Sequence, residues 1–227
     1  MSSAAPAPSS RDLLLDAAER LFAEQGFART TIKQIGRAAG VNSALLYYYF
    51  ADKRELYREV LHRFVARLVA RTMGASAGDD PEAGIRAFVA AQADTIALHP
   101  HAPRLFVREL VDADPGAAVD QVRLLAATSF RRLCALIEEG QRAGLFRRDA
   151  SAPFAAISTV AQLAYFSIAR PAVALLLGTQ RDGVSAATAR DFARHAADFA
   201  LAALAARPAS RARPSARPAA RARRRAR

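Results

Sequence analysis

One glycine constrains this chain more than any other residue. It is Gly40, within the stretch FARTTIKQIGRAAGVNSALLYYYFADKR at residues 27–54. Before it, Thr30 and Thr31 can cap a short helix whose apolar residues Ile32, Ile35 and Ala39 share one face. Gly40 tolerates positive φ, so it can end that helix in a sharp turn. Val41 can fill the corner, and Asn42 has the side chain to cap a second helix. There Leu46, Tyr49 and Phe50 fall at i, i+3 and i+4 and point inward. The opposite face centres on Ala44 and Tyr48, flanked by Ser43, Leu45 and Tyr47. An exposed face this apolar and aromatic calls for something to cover it. Two helices so joined make a helix-turn-helix over residues 31–50, a motif whose second helix enters the major groove of DNA. The same turn also occurs in helical proteins that never touch DNA.

Composition narrows the choice. At 227 residues the chain can bury a sizeable core. Trp is absent, β-branched runs are scarce and no segment alternates with period two, so an all-α protein is expected. The longest apolar run, residues 161–177, is broken by Gln162, Arg170 and Pro171, short of a membrane span. The start MSSAAPAPSS lacks the features of a signal peptide, and the single Cys134 fits a reducing compartment. A cytoplasmic location is expected. The net charge of +12 is concentrated at one end: residues 207–227 hold nine Arg and no acid, leaving +3 for residues 1–206. Within residues 27–54, Arg29, Lys33, Arg37, Lys53 and Arg54 face the single acid Asp52, a local basic patch suited to phosphates.

Along the chain, residues 1–9 read as disordered, and Ser9 or Ser10 can cap a first helix that ends at Gly26. Asp52 caps a long fourth helix to about residue 71, with Leu56, Val60, Phe64 and Leu68 as its stripe. Helices follow over about 81–98 and 102–112, the second with Leu105, Phe106 and Leu110 as its apolar set. After the break Asp114-Pro115-Gly116, a long helix runs to about residue 142, offering Val122, Leu125, Phe130, Leu133 and Leu136 for packing. Two more helices are expected, 151–177 kinked at Pro171 and 185–206, the last with Phe192, His195, Phe199 and Ala203 along one side.

The order and spacing of RDLLLDAAERLFAEQGF, TTIKQIGRAAGV and LLYYYFADKRELYREVL resemble the TetR/AcrR family of bacterial transcriptional regulators over about the first quarter of the chain. The resemblance implies a DNA-binding domain at residues 10–70, and an effector-binding and dimerisation domain at 81–206. It implies a homodimer on a double-stranded DNA operator, released by a small-molecule effector. Thr31, Tyr47, Tyr48 and Lys53 match positions that meet the DNA backbone in family members. Asn42 begins the reading helix. Ser43 can hydrogen-bond either kind of base pair, and Ala44 and Leu45 suit a thymine methyl group. Many relatives have Lys, Gly and Thr there instead. Phe64, Phe88, Phe106, Phe130, Phe154, Tyr165 and Phe166 come from separate helices, and the resemblance implies that some surround the effector. It also assigns Phe192, Phe199 and Ala203 to a dimer contact through the last helices.

Other chemistry finds little footing. No Gly-rich phosphate loop, nucleophile elbow or metal-ligand spacing appears, so neither an enzyme nor a cofactor is expected. His99-Pro100-His101 with Glu109 reads as polar surface, and Cys134 as an inert thiol among Leu133, Leu136 and Ile137. Two alternatives stand beside the regulator. One is an architectural, sequence-independent DNA binder driven by the Arg-rich tail of residues 207–227; the other is a helical carrier or enzyme with a vestigial helix-turn-helix. Each phosphate neutralised adds roughly 0.9 to the slope of log affinity against log salt. Truncation after Ala206 is therefore expected to flatten that slope and weaken random and operator DNA alike, preserving their ratio. Fluorescence anisotropy on both DNAs across a salt series measures it.

Overall fold

The computed structural model describes residues 9–75, 78–111, 116–179 and 183–206, without the side chains of residues 109 and 116–118. The Arg-rich tail, residues 1–8, residues 114–115 of the expected break and the Glu109 carboxylate lie outside the described residues. Among the described residues every element is helical, and one antiparallel bridge joins Phe146 to Ala205.

Helix α1 spans Ser10–Arg29 and is capped by Ser9, whose hydroxyl accepts the Asp12 N–H at 3.2 Å. At Gly26, φ 83° and ψ 166°, the helix breaks as expected, and a further turn beyond the kink runs to Arg29. Thr30 does not share the next cap. It is buried and donates its hydroxyl to the Gly26 carbonyl at 2.8 Å. Thr31 alone caps α2, Ile32–Ala39, in a capping box with Gln34. Gly40 follows at φ 69°, and α3 covers Ala44–Tyr49. Asp52 accepts the Glu55 N–H at 2.7 Å to open α4, Lys53–Gly74.

The rest is α5 (Pro81–Leu98), α6 (Ala102–Val111), α7 (Gly116–Leu125), a π-helical turn at Ala126–Phe130, α8 (Arg131–Arg142), α9 (Ala152–Ile168), α10 (Arg170–Leu176) and α11 (Ala186–Leu204). The expected long helix to residue 142 thus contains a bulge. It turns Ser129 inward, where its hydroxyl meets that of Thr72 on α4 at 2.7 Å. The expected kink near Pro171 is an 88° bend between α9 and α10. Pro171 has no N–H to continue the ladder, so the chain turns away at Ala169. Leu110 and Val122, expected in the core, are exposed.

Among the described residues four cores carry the fold, one of them Phe166, Val173, Ala174 and Val184 around the α9–α10 bend. Leu14, Leu15, Phe22, Ile35, Leu46 and Phe50 pack with Leu56, Val60 and Leu61 from the first half of α4. The second half of α4 supplies Phe64, Val65 and Leu68 to another core with Ala102. Ile85, Phe88 and Val89 of α5 meet Leu133, Leu136 and Ile137 of α8, closed by α9 and the alanines of α11.

A buried polar knot ties α1 to both partners. Arg63 of α4 reaches Glu19 at 3.2 Å and Asp16 at 2.7 Å, and Glu19 and the Arg63 side chain are both largely buried. His99, just past α5, is also buried rather than surface polar. Arg67 can only donate, so at 2.7 Å it makes His99 Nε2 the acceptor, leaving Nδ1–H for Glu19 Oε2 at 3.3 Å. Burial alone would raise the Glu19 carboxyl. The His99 hydrogen bond and the Arg63 charge outweigh it and hold the group below its ordinary 4.5. A folded value below the unfolded one contributes stability above about pH 4.5, lost as pH falls through the folded value. Glu19→Gln is expected to cost about 1–3 kcal/mol at neutral pH. In thermal melts from pH 7 to 3, the gap between wild type and variant should close below about pH 4.5.

Candidate nucleic-acid interface

The exposed face of α3 is set by what the helix buries. Leu46 is fully buried and Phe50 nearly so, with Tyr49 half-buried against the same core. Being on the opposite side, Tyr48 is 78% exposed, and Tyr47 and Ala44 are exposed beside it. Leu45 and Ser43 are half-buried at the flanks. Asn42 is exposed, and its side-chain oxygen accepts the Ala44 N–H at 2.9 Å, so it caps α3 as expected. Lys33 and Arg37 are exposed on α2, Arg29 donates its Nε–H to the Gln25 carbonyl at 3.0 Å, and the Thr31 hydroxyl is held in its capping box.

Lys53 is placed differently from the sequence expectation. Its ammonium donates to the Phe27 carbonyl at 2.9 Å and the Thr30 carbonyl at 3.0 Å. It also lies 4.3 Å from the Phe27 ring centroid. The Thr30 carbonyl and the Phe27 carbonyl, which also accepts the Thr30 N–H at 3.3 Å, are close enough to draw it in. Here Lys53 pins α1 to α4 rather than projecting as a free cation.

The expected effector residues are not brought together. Phe88 and Phe130 belong to the α5–α8 core, whereas Phe64 and Phe106 pack around the second half of α4. Phe154 and Tyr165 turn outward, Tyr165 being 60% exposed. Phe166 does line a cavity, of about 240 Å³, with Ile96 and Pro100 across from it. Phe192, expected at a dimer contact, faces the same cavity, stacked on Phe166 at 4.1 Å between centroids. The outer face keeps Phe199, 58% exposed, and Ala203 beside Phe154 in a groove between α9 and α11. Cys134 is half-buried, and burial pushes its thiol up, against thiolate chemistry.

Residues 14–60 match the model for bacterial regulatory proteins of the tetR family. Residues 81–199 match the tetracyclin repressor-like C-terminal domain. The chain belongs to the TetR family. The HTH-type transcriptional repressor NicS of Pseudomonas putida is 33% identical over 162 residues, 70% of this chain and 76% of NicS. The repressor KstR2 of Rhodococcus jostii is 31% identical over 144 residues, 61% of this chain and 69% of KstR2. In fold, a tetR-family regulatory protein from Rhodococcus RHA1 superposes with a TM-score of 0.72 at 18% identity, covering 89% of this chain and all of that one. A TetR-family regulator acts by binding DNA, not by catalysis.

One residue of the TetR-family reading unit escaped the sequence argument. Gly36 lies inside α2, and a Cβ there would meet the Cα and Cβ of Ser43 at 2.9 Å. That contact sets how closely α3 seats on α2. Its signal was present in the sequence: an unexplained glycine within a helix four residues before the turn glycine. Gly36→Val is expected to push α3 outward, with DNA binding falling by about tenfold or more for roughly 1–3 kcal/mol of stability. Gel shifts beside circular-dichroism melts separate the two effects.

Proposed function

We propose that this chain is a ligand-responsive transcriptional repressor, a cytoplasmic homodimer that holds double-stranded operator DNA until a small-molecule effector binds. One observation carries the reading: α3 exposes Tyr48, Tyr47 and Ala44 on the side opposite a fully buried Leu46, with Lys33 and Arg37 exposed on the preceding helix. Relatives NicS and KstR2 are named as repressors, in line with this role. The matches to both tetR-family models favour it over an architectural binder, a carrier or an enzyme.

Residues 10–70 act as the DNA-binding domain and residues 81–206 as the effector and dimerisation domain. Tyr47 and Tyr48 place phenol hydroxyls on phosphates, and the Thr31 end of α2 offers N–H groups to another. Ser43, Ala44 and Leu45 meet base edges once Asn42 has started the helix. Two copies must present their reading helices about one DNA turn apart, roughly 34–36 Å. The α9–α11 surface suits that pairing: Phe154, Ile157, Tyr165 and Phe199 are large apolar groups left in solvent on neighbouring helices. Tyr165 and Phe154 thereby move from the effector pocket to the dimer contact, and Phe192 moves the other way.

Tyr48→Ala is expected to weaken binding to a DNA site selected from a random library by about 1–3 kcal/mol. Its melting temperature should stay unchanged, whereas Leu46→Ala should lose about 2–5 kcal/mol of stability. Equal melting losses would overturn the orientation of α3. Phe199→Glu, which places an unpaired charge at the self-contact, should give helical monomers with weakened DNA binding. Light scattering reads the mass, and an unchanged dimer would rule this face out.

A further inference from the structure

The cavity between α5, α9, α10 and α11 has walls specific enough to describe its occupant. We infer that it takes a compact, flat, aromatic carboxylate, an inference that rests on the effector-responsive reading above. Size comes first. Sites for drug-sized ligands run to roughly 300–1,000 Å³, and this one is about 240 Å³. A single ring or a fused pair of rings fits within it.

Shape comes next. Phe166 and Phe192 stack with their planes only 13° apart, so they act as one rigid aromatic wall. Ile96, Pro100, Leu163 and four alanines make the rest of the lining apolar. A flat ring can stack on that aromatic wall, and a flexible chain loses rotational freedom on entry.

Charge decides the rest. Among the described residues, Ser167 and Arg170 are the only polar side chains lining the cavity, and no acid does. Arg170 donates one N–H to the Val184 carbonyl at 2.6 Å, which orients the guanidinium and leaves its other donors. Among the described residues no carboxylate pairs with it. A cation on the rim of an apolar slot favours an anionic group and disfavours an amine.

The test is calorimetry on the full chain with three probes: 1-naphthoate, its neutral isostere 1-naphthamide, and decanoate, which keeps the charge without the ring. Naphthoate is expected to bind about tenfold or more tightly than either of the others. Arg170→Gln should bring the acid and the amide to within about threefold of each other. Ala97→Trp and, from the facing wall, Ala189→Leu should abolish binding. Circular-dichroism melts and binding to ligand-free DNA show that each variant is intact. Equal affinity for acid and amide in the wild type overturns the proposal. So does an acid preference that survives in Arg170→Gln, undiminished binding in folded cavity-filled variants, or no binding of naphthoate. DNA binding without ligand is scored on the same samples. Its absence would sink the repressor reading, whereas its presence without naphthoate selectivity sinks only the ligand assignment.

Discussion

Helix α4 belongs to two cores at once, and that sharing is the constraint on which the rest depends. Leu56, Val60 and Leu61 complete the helix-turn-helix, while Phe64, Val65 and Leu68 are buried among residues of α6 and α7. Full burial of each such side chain contributes about 1.5–3 kcal/mol, so neither half of α4 can leave its core cheaply. A rigid rod embedded at both ends transmits displacement, because packed interiors yield little to compression. Between the two apolar sections lies Arg63, and its ion pairs draw α1 onto the same rod. A buried pair of this kind adds little net stability over an apolar substitute. Its consequence is positional: Glu19 has both its partners in one arrangement of α1, α4 and the end of α5, and a shift of the end of α5 leaves it only Arg63.

The reading unit was legible because its sequence obeys local rules. Leu46 and Tyr48 are two residues apart on a helix, roughly opposite, and the structure buries one and exposes the other. Thr31, Gly40, Asn42 and Asp52 each perform a backbone task that their side chain announces. Lys53 was harder. A cation at a helix start reads as a phosphate ligand, but the carbonyls it binds come from Phe27 and Thr30, brought near only by the tertiary fold.

The larger half was misread for a different reason. Helices α9 and α11 are apolar on more than one side, so periodicity identifies faces without saying which is inner. Phe192 and Phe199 are seven residues apart and share a nominal face, yet Phe192 stacks on Phe166 while Phe199 is in solvent. Two helical turns of an ideal helix span slightly more than seven residues, a drift of about 20° per heptad. That drift is small, so the cause lies in the neighbours. Near Phe192 the bend at Ala169 brings Val173, Ala174 and Val184 over the start of α11, whereas Phe199 has the His195 ring 6.2 Å away and stays largely exposed. His99 and Glu19 went unseen because charged side chains read as surface until a partner is supplied from distant sequence, here 80 residues away.

The end of α5 brings these two halves into one place. Ile96 and Pro100 line the aromatic cavity, while Thr95, His99 and Pro100 line the polar cleft over α1 and α4. Pro100 thus has the cavity on one side and the Glu19 contact on the other, a single residue from His99. Coupling across such a turn needs no long chain of intermediates, but it does need a difference in affinity. A ligand with equal affinity for two states of a protein shifts nothing, however tightly it binds. A typical coupling of about 1–3 kcal/mol is comparable to one charge-assisted hydrogen bond. The contact from His99 to Glu19 is therefore of the right size to be the quantity at stake. Larger energies are stored in the α4 cores, but those change little as long as both ends of the rod stay buried.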